Sequence, residues 1–388
     1  MDIIQTMQAL TPDTSFDPIA WDAMESLFGT FFSDMRTVQQ NPMYHGEGDV
    51  FTHTQMVCGA LNQMPEFHTM PLLQKTQLFA AAALHDIGKV KTTRFEDGKW
   101  TSPHHATVGS QTARSFLWQT CSLCGTPENI RFRETVCALI RHHMIPIHFE
   151  RQKNPEQKAF EVAAVGELIP DFSWEMLCRL SEADVLGRIA PDTQQGLDTL
   201  QLCRWTVQEA GCYTAPYLFA DAFSRRAYLS GRNIRPYQKL YDDTWGEVVL
   251  MSGLPGTGKD TWIQKNLPEL PMISLDNIRK ELRIPSDARG SAAIHAAQDR
   301  ARVYLRKKQP FVWNATNLSK EIRQNQIRLF EQYGARVRIV YLETDWTQRI
   351  ERNRNRTSAV PENAVEKMLD VTIPPTPDEA QTVEWITT

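Results

Sequence analysis

The run Val248-Val249-Leu250-Met251-Ser252-Gly253-Leu254-Pro255-Gly256-Thr257-Gly258-Lys259-Asp260-Thr261-Trp262 constrains the fold more than any other stretch. An apolar strand leads into a glycine-rich turn and then into a helix. Gly253, four further residues, Gly258 and Lys259 match a phosphate-binding loop up to its lysine. Glycines let the backbone fold back so that several N–H groups point at phosphate oxygens. The helix start adds its positive dipole end, and Lys259 can reach the β- and γ-phosphates. The expected nucleotide contacts are Gly253, Gly256, Thr257, Gly258, Lys259, Asp260 and Thr261. One position departs from the pattern. Asp260 stands where a Mg²⁺-binding Ser or Thr normally follows the lysine, with Thr261 one step later.

Beyond the loop, strand and helix alternate. Pro271–Ser274, Phe311–Asn314 and Val337–Tyr341 read as strands. Helices are expected from Leu275, over Ala292–Arg306 and Glu321–Tyr333, and after a cap at Asp345. Short loops between such elements predict a parallel, doubly wound sheet with its ligand at the strand C-terminal ends. Asp276, Asn314 and Thr316 fall at those ends. Arg349, Arg352 and Arg356 share one helical face at i, i+3 and i+7. Guanidinium groups placed there could close over a transferring phosphoryl group, although a solvated charged face has the same spacing.

The front of the chain is helical in pattern. Trp21, Met24, Phe28, Phe31 and Met35 form a core-facing stripe. The apolar run Leu78–Leu84 delivers His85-Asp86 and then Ile87-Gly88-Lys89. A charged pair set on an apolar run needs a partner, and a metal ion would serve. Most of the chain's ten histidines lie between His45 and His148, including His53, His104-His105 and His142-His143. Asp184 sits on a further expected helix. Imidazoles and carboxylates on separate helices suit a catalytic metal site inside an α-bundle.

These motifs carry two resemblances. His53, Leu84-His85-Asp86-Ile87-Gly88-Lys89, His105-Ala106-Thr107-Val108-Gly109, Arg141-His142-His143-Met144 and Asp184 resemble the HD phosphohydrolase superfamily. That family implies an all-α fold and phosphoester hydrolysis assisted by a divalent metal that activates water. It implies that His53, His85, Asp86 and Asp184 hold one ion. His105 and either His142 or His143 are candidates for a second, and Lys89 and His45 would face the substrate phosphate. The back half resembles polynucleotide kinases of RNA repair through Gly253–Lys259, Leu275-Asp276-Asn277-Ile278-Arg279, Asn314-Ala315-Thr316-Asn317-Leu318 and Arg352-Asn353-Arg354-Asn355-Arg356. That family implies Asp276 as general base toward a 5′-hydroxyl, Arg279 on the acceptor's terminal phosphodiester, and Arg352 and Arg356 as lid arginines. Asn314 stands where many relatives carry aspartate, so Asp260 is expected to supply the carboxylate near Mg²⁺.

The expected architecture is therefore multidomain. An N-terminal all-α HD bundle (1–210) is followed by a helical linker (211–245) and a C-terminal α/β P-loop kinase with a parallel sheet (246–388). The whole chain resembles bacterial fusions of an HD domain with a polynucleotide kinase. The implied activity is healing of nucleic-acid ends: NTP-dependent 5′-phosphorylation, and metal-dependent removal of 2′,3′-cyclic, 2′- or 3′-phosphates. The implied cofactors are ATP or another NTP with Mg²⁺, and a divalent Mn, Fe, Co, Ni, Cu or Zn ion at the HD site. RNA ends are the favoured partner and DNA ends the second, with a separate RNA ligase downstream. A kinase of a small metabolite fused to a hydrolase of free nucleotides is the competing reading, and a non-catalytic sensor of nucleotide and metal is a third.

Net charge of −4 argues against a protein that coats long nucleic acid. No apolar run is long enough to cross a bilayer. The start, Asp2-Ile3-Ile4-Gln5, lacks the basic, apolar pattern of a signal peptide. Seven irregularly spaced cysteines fit a reducing, cytoplasmic setting. The lone Cys121/Cys124 pair reads as two ordinary half-buried thiols.

Overall fold

The computed structural model describes residues 2–284, 290–356 and 359–388. The chain divides into two compact units, Met1–Leu123 with Glu128–Tyr217, and Cys124–Pro127 with Leu218–Thr388.

The first unit is a helical bundle. Helix α1 (Trp21–Met35) buries Met24, Phe28, Phe32 and Met35. The expected stripe placed Phe31 in that row. The 3.6-residue turn instead carries the row from Phe28 to Phe32, and Phe31 stays half-buried with its ring 5.0 Å from that of Phe116. Helix α2 (Val50–Asn62) starts where the Asp49 carboxylate accepts the Thr52 N–H at 2.9 Å. Helix α3 (Leu72–Leu84) is buried all round from Lys75 onward, because its alanines let neighbouring helices come close. Helices α4 (His105–Gln119), α5 (Pro127–His142), α6 (Trp174–Leu186) and α7 (Thr193–Glu209) also belong to the bundle. A small exposed hairpin of β1 (Arg94–Glu96) and β2 (Lys99–Thr101) is an addition to the expected all-α pattern.

One glycine decides how close these elements come. A Cβ on Gly88 would lie 2.0 Å from the His105 carbonyl oxygen and 2.5 Å from the Gly109 nitrogen. Only glycine lets the turn after α3 touch the start of α4. That contact sets His85 and Asp86 beside His105.

The second unit begins with helix α8 (Ala222–Leu229), whose Asp221 cap accepts the Ser224 N–H. Its sheet contains β3 (Glu247–Ser252), β4 (Met272–Ser274), β5 (Phe311–Asn314), β6 (Arg336–Glu343) and β7 (Thr382–Thr387). All neighbours pair in parallel, in the order β4-β5-β3-β6-β7. Alternation along β3 sends Val248 and Leu250 to one face and Val249 and Met251 to the other. Helices α11 (Ser291–Arg306) and α12 (Lys320–Gln332) cover the first face with Ala293, Ala297, Ala301, Ile327 and Phe330. Helix α9 (Lys259–Asn266) covers the second face through Ile263. The short helix α10 (Leu275–Glu281) starts directly at the end of β4, and α13 (Trp346–Arg354) follows β6. The edge strand β7 and helix α14 (Glu362–Asp370) were not expected from the sequence. Buried Arg323 fastens this last segment. Its guanidinium donates to both carboxylate oxygens of Glu379, at 2.8 and 2.7 Å, and to the carbonyls of Asn317 and Ile373.

Among the described residues no helix is long and apolar enough to cross a membrane. Cys121 and Cys124 are buried rather than half-buried, and burial pushes the Cys121 thiol up to about 12, which disfavours its thiolate.

Candidate active sites

Four imidazoles from four places in the chain converge inside the first unit. His53 comes from α2, His85 caps α3, His105 opens α4 and His143 follows α5. Each turns Nδ1 toward a backbone carbonyl: His53 toward Gly187 (3.2 Å), His85 toward Ala82 (2.8 Å), His105 toward Ser102 (2.9 Å) and His143 toward Ile140 (2.7 Å). A carbonyl only accepts, so each Nδ1 carries the proton and each Nε2 is left to the interior. There the Nε2 atoms face one another, His53 and His85 at 3.4 Å and His105 and His143 at 3.4 Å.

Two carboxylates enter the same volume. Asp86 Oδ2 lies 3.3 Å from His85 Nε2 and 3.6 Å from His53 Nε2, while Asp86 Oδ1 lies 3.5 Å from His105 Nε2. Asp184, on α6, places Oδ1 3.1 Å from His53 Nε2. His53, His85 and Asp86 form one group of possible ligand atoms within 4.8 Å of one another, and Asp86, His105 and His143 form a second. His142 is turned elsewhere, with its ring 6.2 Å from that of Phe172.

The electrostatics call for a cation. Burial, with His85 and His105 adding to it, pushes His143 down to about 3, so its ring is neutral. Burial lowers His105 as well, and its Nε2 faces that of His143 at 3.4 Å, an arrangement that a positive charge between the two rings would relieve. Burial alone would lower His53, but Asp184 and Glu47 outweigh it and hold it up at about 9. That Nε2 therefore attracts positive charge, a proton or a metal ion. Asp86 resists protonation despite its burial, through Lys89 and His85. Its Oδ1 is buried with no hydrogen-bond partner, an orphaned acceptor that a bound ion would satisfy. The donor set of imidazole nitrogens and carboxylate oxygens suits a divalent transition metal. Lys89 Nζ donates to Asp86 Oδ2 at 2.7 Å and to Gln40 Oε1 at 2.8 Å, at the margin of the cluster.

The second constellation lies at the C-terminal edge of the parallel sheet. Gly253, Gly256 and Gly258 all have positive φ, at 138°, 89° and 84°. These values produce the inward-facing loop between β3 and α9. Lys259 Nζ donates to the carbonyls of Gly253 and Leu254 at 2.8 and 2.9 Å, and burial lowers it to about 8. Thr257 spends its hydroxyl on the Leu254 carbonyl at 2.9 Å, and Thr261 is exposed. Asn314, at the end of β5, donates Nδ2 to Asp260 Oδ1 at 2.6 Å.

Asp276 sits in the first turn of α10, and its carboxylate is 68% exposed. Arg356 Nη2 donates to it at 3.1 Å. Arg356 lies beyond the end of α13, so the expected three-arginine helical face is shorter than its spacing implied. Arg352 Nη1 donates to Thr388 Oγ1 at 2.9 Å, and that hydroxyl donates to the Thr257 carbonyl at 3.0 Å. Arg352 is thereby held over the loop. Arg349 is structural: it is buried, pairs with Glu362 and lies over the Trp346 ring. Arg279 lies beside Gly290, where an added Cβ would come within 2.8 Å of its Nη1.

Residues 50–164 match the family model of the HD domain, and residues 248–375 match that of an AAA domain. The chain joins an HD domain to an AAA domain. HD domains bind divalent metals, and P-loop kinases use a nucleoside triphosphate with Mg²⁺, so the pairing is that of a phosphohydrolase and a kinase-like nucleotide-binding domain. Within the HD match lie His53, His85, Asp86, His105 and His143, while Asp184 reaches the cluster from beyond it. The AAA match spans the loop, Asp276, Asn314 and the arginines. Sequence reasoning passed over Gln40, Glu47 and Thr388. Glu47 carried one usable signal, a carboxylate between two glycines and six residues before His53.

Proposed function

We propose that the chain is a bifunctional nucleic-acid end-healing enzyme. The AAA domain would transfer the γ-phosphoryl group of an NTP to a 5′-hydroxyl end. The HD domain would remove a 2′,3′-cyclic, 2′- or 3′-phosphate.

In the kinase half, the loop amides and Lys259 would hold the β- and γ-phosphates, and Arg352 would neutralise charge on the transferring group. Asp276 would accept the proton of the attacking hydroxyl. The observation that carries the polynucleotide reading is the exposure of the Asp276 carboxylate beside Arg356. A kinase for a small metabolite encloses its acceptor. A base open to solvent suits the end of a long chain. The run Asn314-Ala315-Thr316-Asn317-Leu318 at the exit of β5 and the neighbouring arginines add the resemblance to polynucleotide kinases.

In the HD half, His53, His85, Asp86 and Asp184 would hold one divalent ion, and His105 and His143 would share Asp86 with a second. Such an ion supplies Lewis acidity and brings the pKa of water toward neutrality. The chain's own part is to fix the Nε2 lone pairs inward and to set the Lys89 ammonium at the rim, where it would pair with a phosphate oxygen. His45 would face the same group.

The test is end analysis. An oligonucleotide with a 5′-hydroxyl and a 2′,3′-cyclic phosphate is incubated with the protein, ATP and a panel of Mg²⁺, Mn²⁺, Co²⁺ and Ni²⁺. The reading expects a 5′-phosphate with Mg²⁺ and loss of the cyclic phosphate with a transition metal. Faster phosphorylation of a free nucleoside than of the oligonucleotide would favour the small-molecule reading instead. No turnover with any metal would leave only a sensor.

A further inference from the structure

Glu47 lies in a glycine-flanked loop, yet its side chain is only 1% exposed. Its Oε1 stands 2.8 Å from His45 Nδ1 and 3.0 Å from His53 Nδ1. Its Oε2 accepts the Ile189 N–H at 2.8 Å. A second rung runs beside it, from Gly46 N–H to the Ile189 carbonyl at 2.9 Å. The loop before α2 is thus zipped to the segment that leaves α6, the helix bearing Asp184.

This arrangement singles out one imidazole. His85, His105 and His143 each give Nδ1–H to a neutral carbonyl. His53 has a carboxylate as well as the Gly187 carbonyl at that atom. A negatively charged acceptor orients an imidazole more firmly and makes the opposite nitrogen a stronger donor to a metal. The same oxygen also fixes His45, whose ring centre lies 4.8 Å from that of His53.

We propose that Glu47 is a positioning residue: it locks His53 with Nε2 toward the metal-binding volume and holds His45 beside it. The part concerning His45 rests on the proposed phosphoester site, whereas the part concerning His53 does not. His45, Glu47 and His53 are also close enough to share an ion of their own. The Gly187 carbonyl argues against this, because it requires a proton on His53 Nδ1, the atom such an ion would need.

The test compares full-length wild type with Glu47→Gln, which keeps the shape and removes the charge, and with Glu47→Asp, which keeps the charge and shortens the reach. Co²⁺ affinity is measured by chelator competition, stoichiometry by titration, and ligand geometry by the visible d–d spectrum, all without substrate. Glu47→Gln should weaken Co²⁺ binding by about tenfold to a hundredfold and shift the d–d bands, with stoichiometry unchanged. Glu47→Asp, which cannot span both rings, should fall between the two and provides the comparison if the glutamine variant does not fold. Unchanged affinity and spectrum in the variants would overturn the proposal. Loss of one metal equivalent would overturn it too, by making Glu47 a ligand. Failure of the wild type to bind Co²⁺ would instead refute the metal reading of the HD cluster, on which this inference depends.

Discussion

At the scale of single residues, the glycine-rich loop departs from the common phosphate-binding pattern at one point, and the departure has a partner. Asp260 carries the charge on the loop, and Asn314 at the end of β5 presents an amide to it at 2.6 Å. In the usual arrangement the hydroxyl is on the loop and the carboxylate at the strand end. The charge sits across the gap from its usual place, and one Asp260 oxygen accepts from the Asn314 amide; in the proposed kinase the other would face a cation. Asp260→Asn should therefore raise the Mg²⁺ concentration needed for half-maximal phosphorylation by about tenfold or more. The double variant Asp260→Ser with Asn314→Asp, which restores the usual order, should recover most of the loss. A Mg²⁺ dependence that stays put in Asp260→Asn would show that the carboxylate is not near the ion. Residue-level chemistry was well marked in the sequence where types are rare, as at His85-Asp86 and Lys259. It was illegible where the choice depends on direction. His142 and His143 are adjacent and chemically identical, and only the end of α5 decides which ring turns inward. Glu47 lies in a loop, and nothing adjacent in the sequence marks its bond to Ile189.

At the scale of elements, α4 and α5 are joined by charge as well as by packing. Arg114 of α4 donates to both oxygens of Glu134 at 2.8–3.0 Å, and Arg133 adds a bond at 2.8 Å. Burial raises the Glu134 carboxyl, and Arg114 and Arg133 together more than reverse this, leaving it below its ordinary value of 4.5. The titratable and charged groups facing it are Arg114 from α4 and Arg133 and Cys137 on its own helix. Removing one member of such a buried set strands the others, so Glu134→Gln should cost about 3–5 kcal/mol at neutral pH. The folded value is depressed, so this contribution is complete above pH 4.5 and is lost as pH falls through the folded value. Denaturant melts of wild type and variant should converge below that pH. The metal ligands titrate in both proteins and cancel in the difference. Elements with one dominant pattern were readable from the chain: β3 as an apolar run before glycines, α3 as an alanine-rich run, β5 within its true bounds. Those without a pattern were not. Every residue of β7 is half-buried, so an edge strand shows neither alternation nor an apolar block. The β1–β2 hairpin is almost wholly exposed, and its strands of three residues each are too short to show a pattern.

At the scale of the whole molecule, two sets of chemical groups occupy separate stretches of one chain. The candidate metal-binding cluster draws on residues 53–184, and the glycine-rich loop with Asp276 and the arginines on residues 253–356. Lys259→Ala should abolish 5′-phosphorylation and leave end-phosphate removal intact, and Asp86→Ala should do the reverse. Loss of both activities in either variant, with far-UV circular dichroism unchanged, would show that the sites depend on each other. On the proposed reading the two halves would also differ in how they meet a shortage of cofactor. Asp86 turns one oxygen toward His53 and His85 and the other toward His105. In the proposed two-ion site, an ion accepted on one side would draw down the charge offered to the other, so the second position would fill after the first and with a weaker grip. Under that reading, scarce transition metal would leave the proposed hydrolase half-charged, while the proposed kinase, fed by Mg²⁺, would go on preparing 5′ ends.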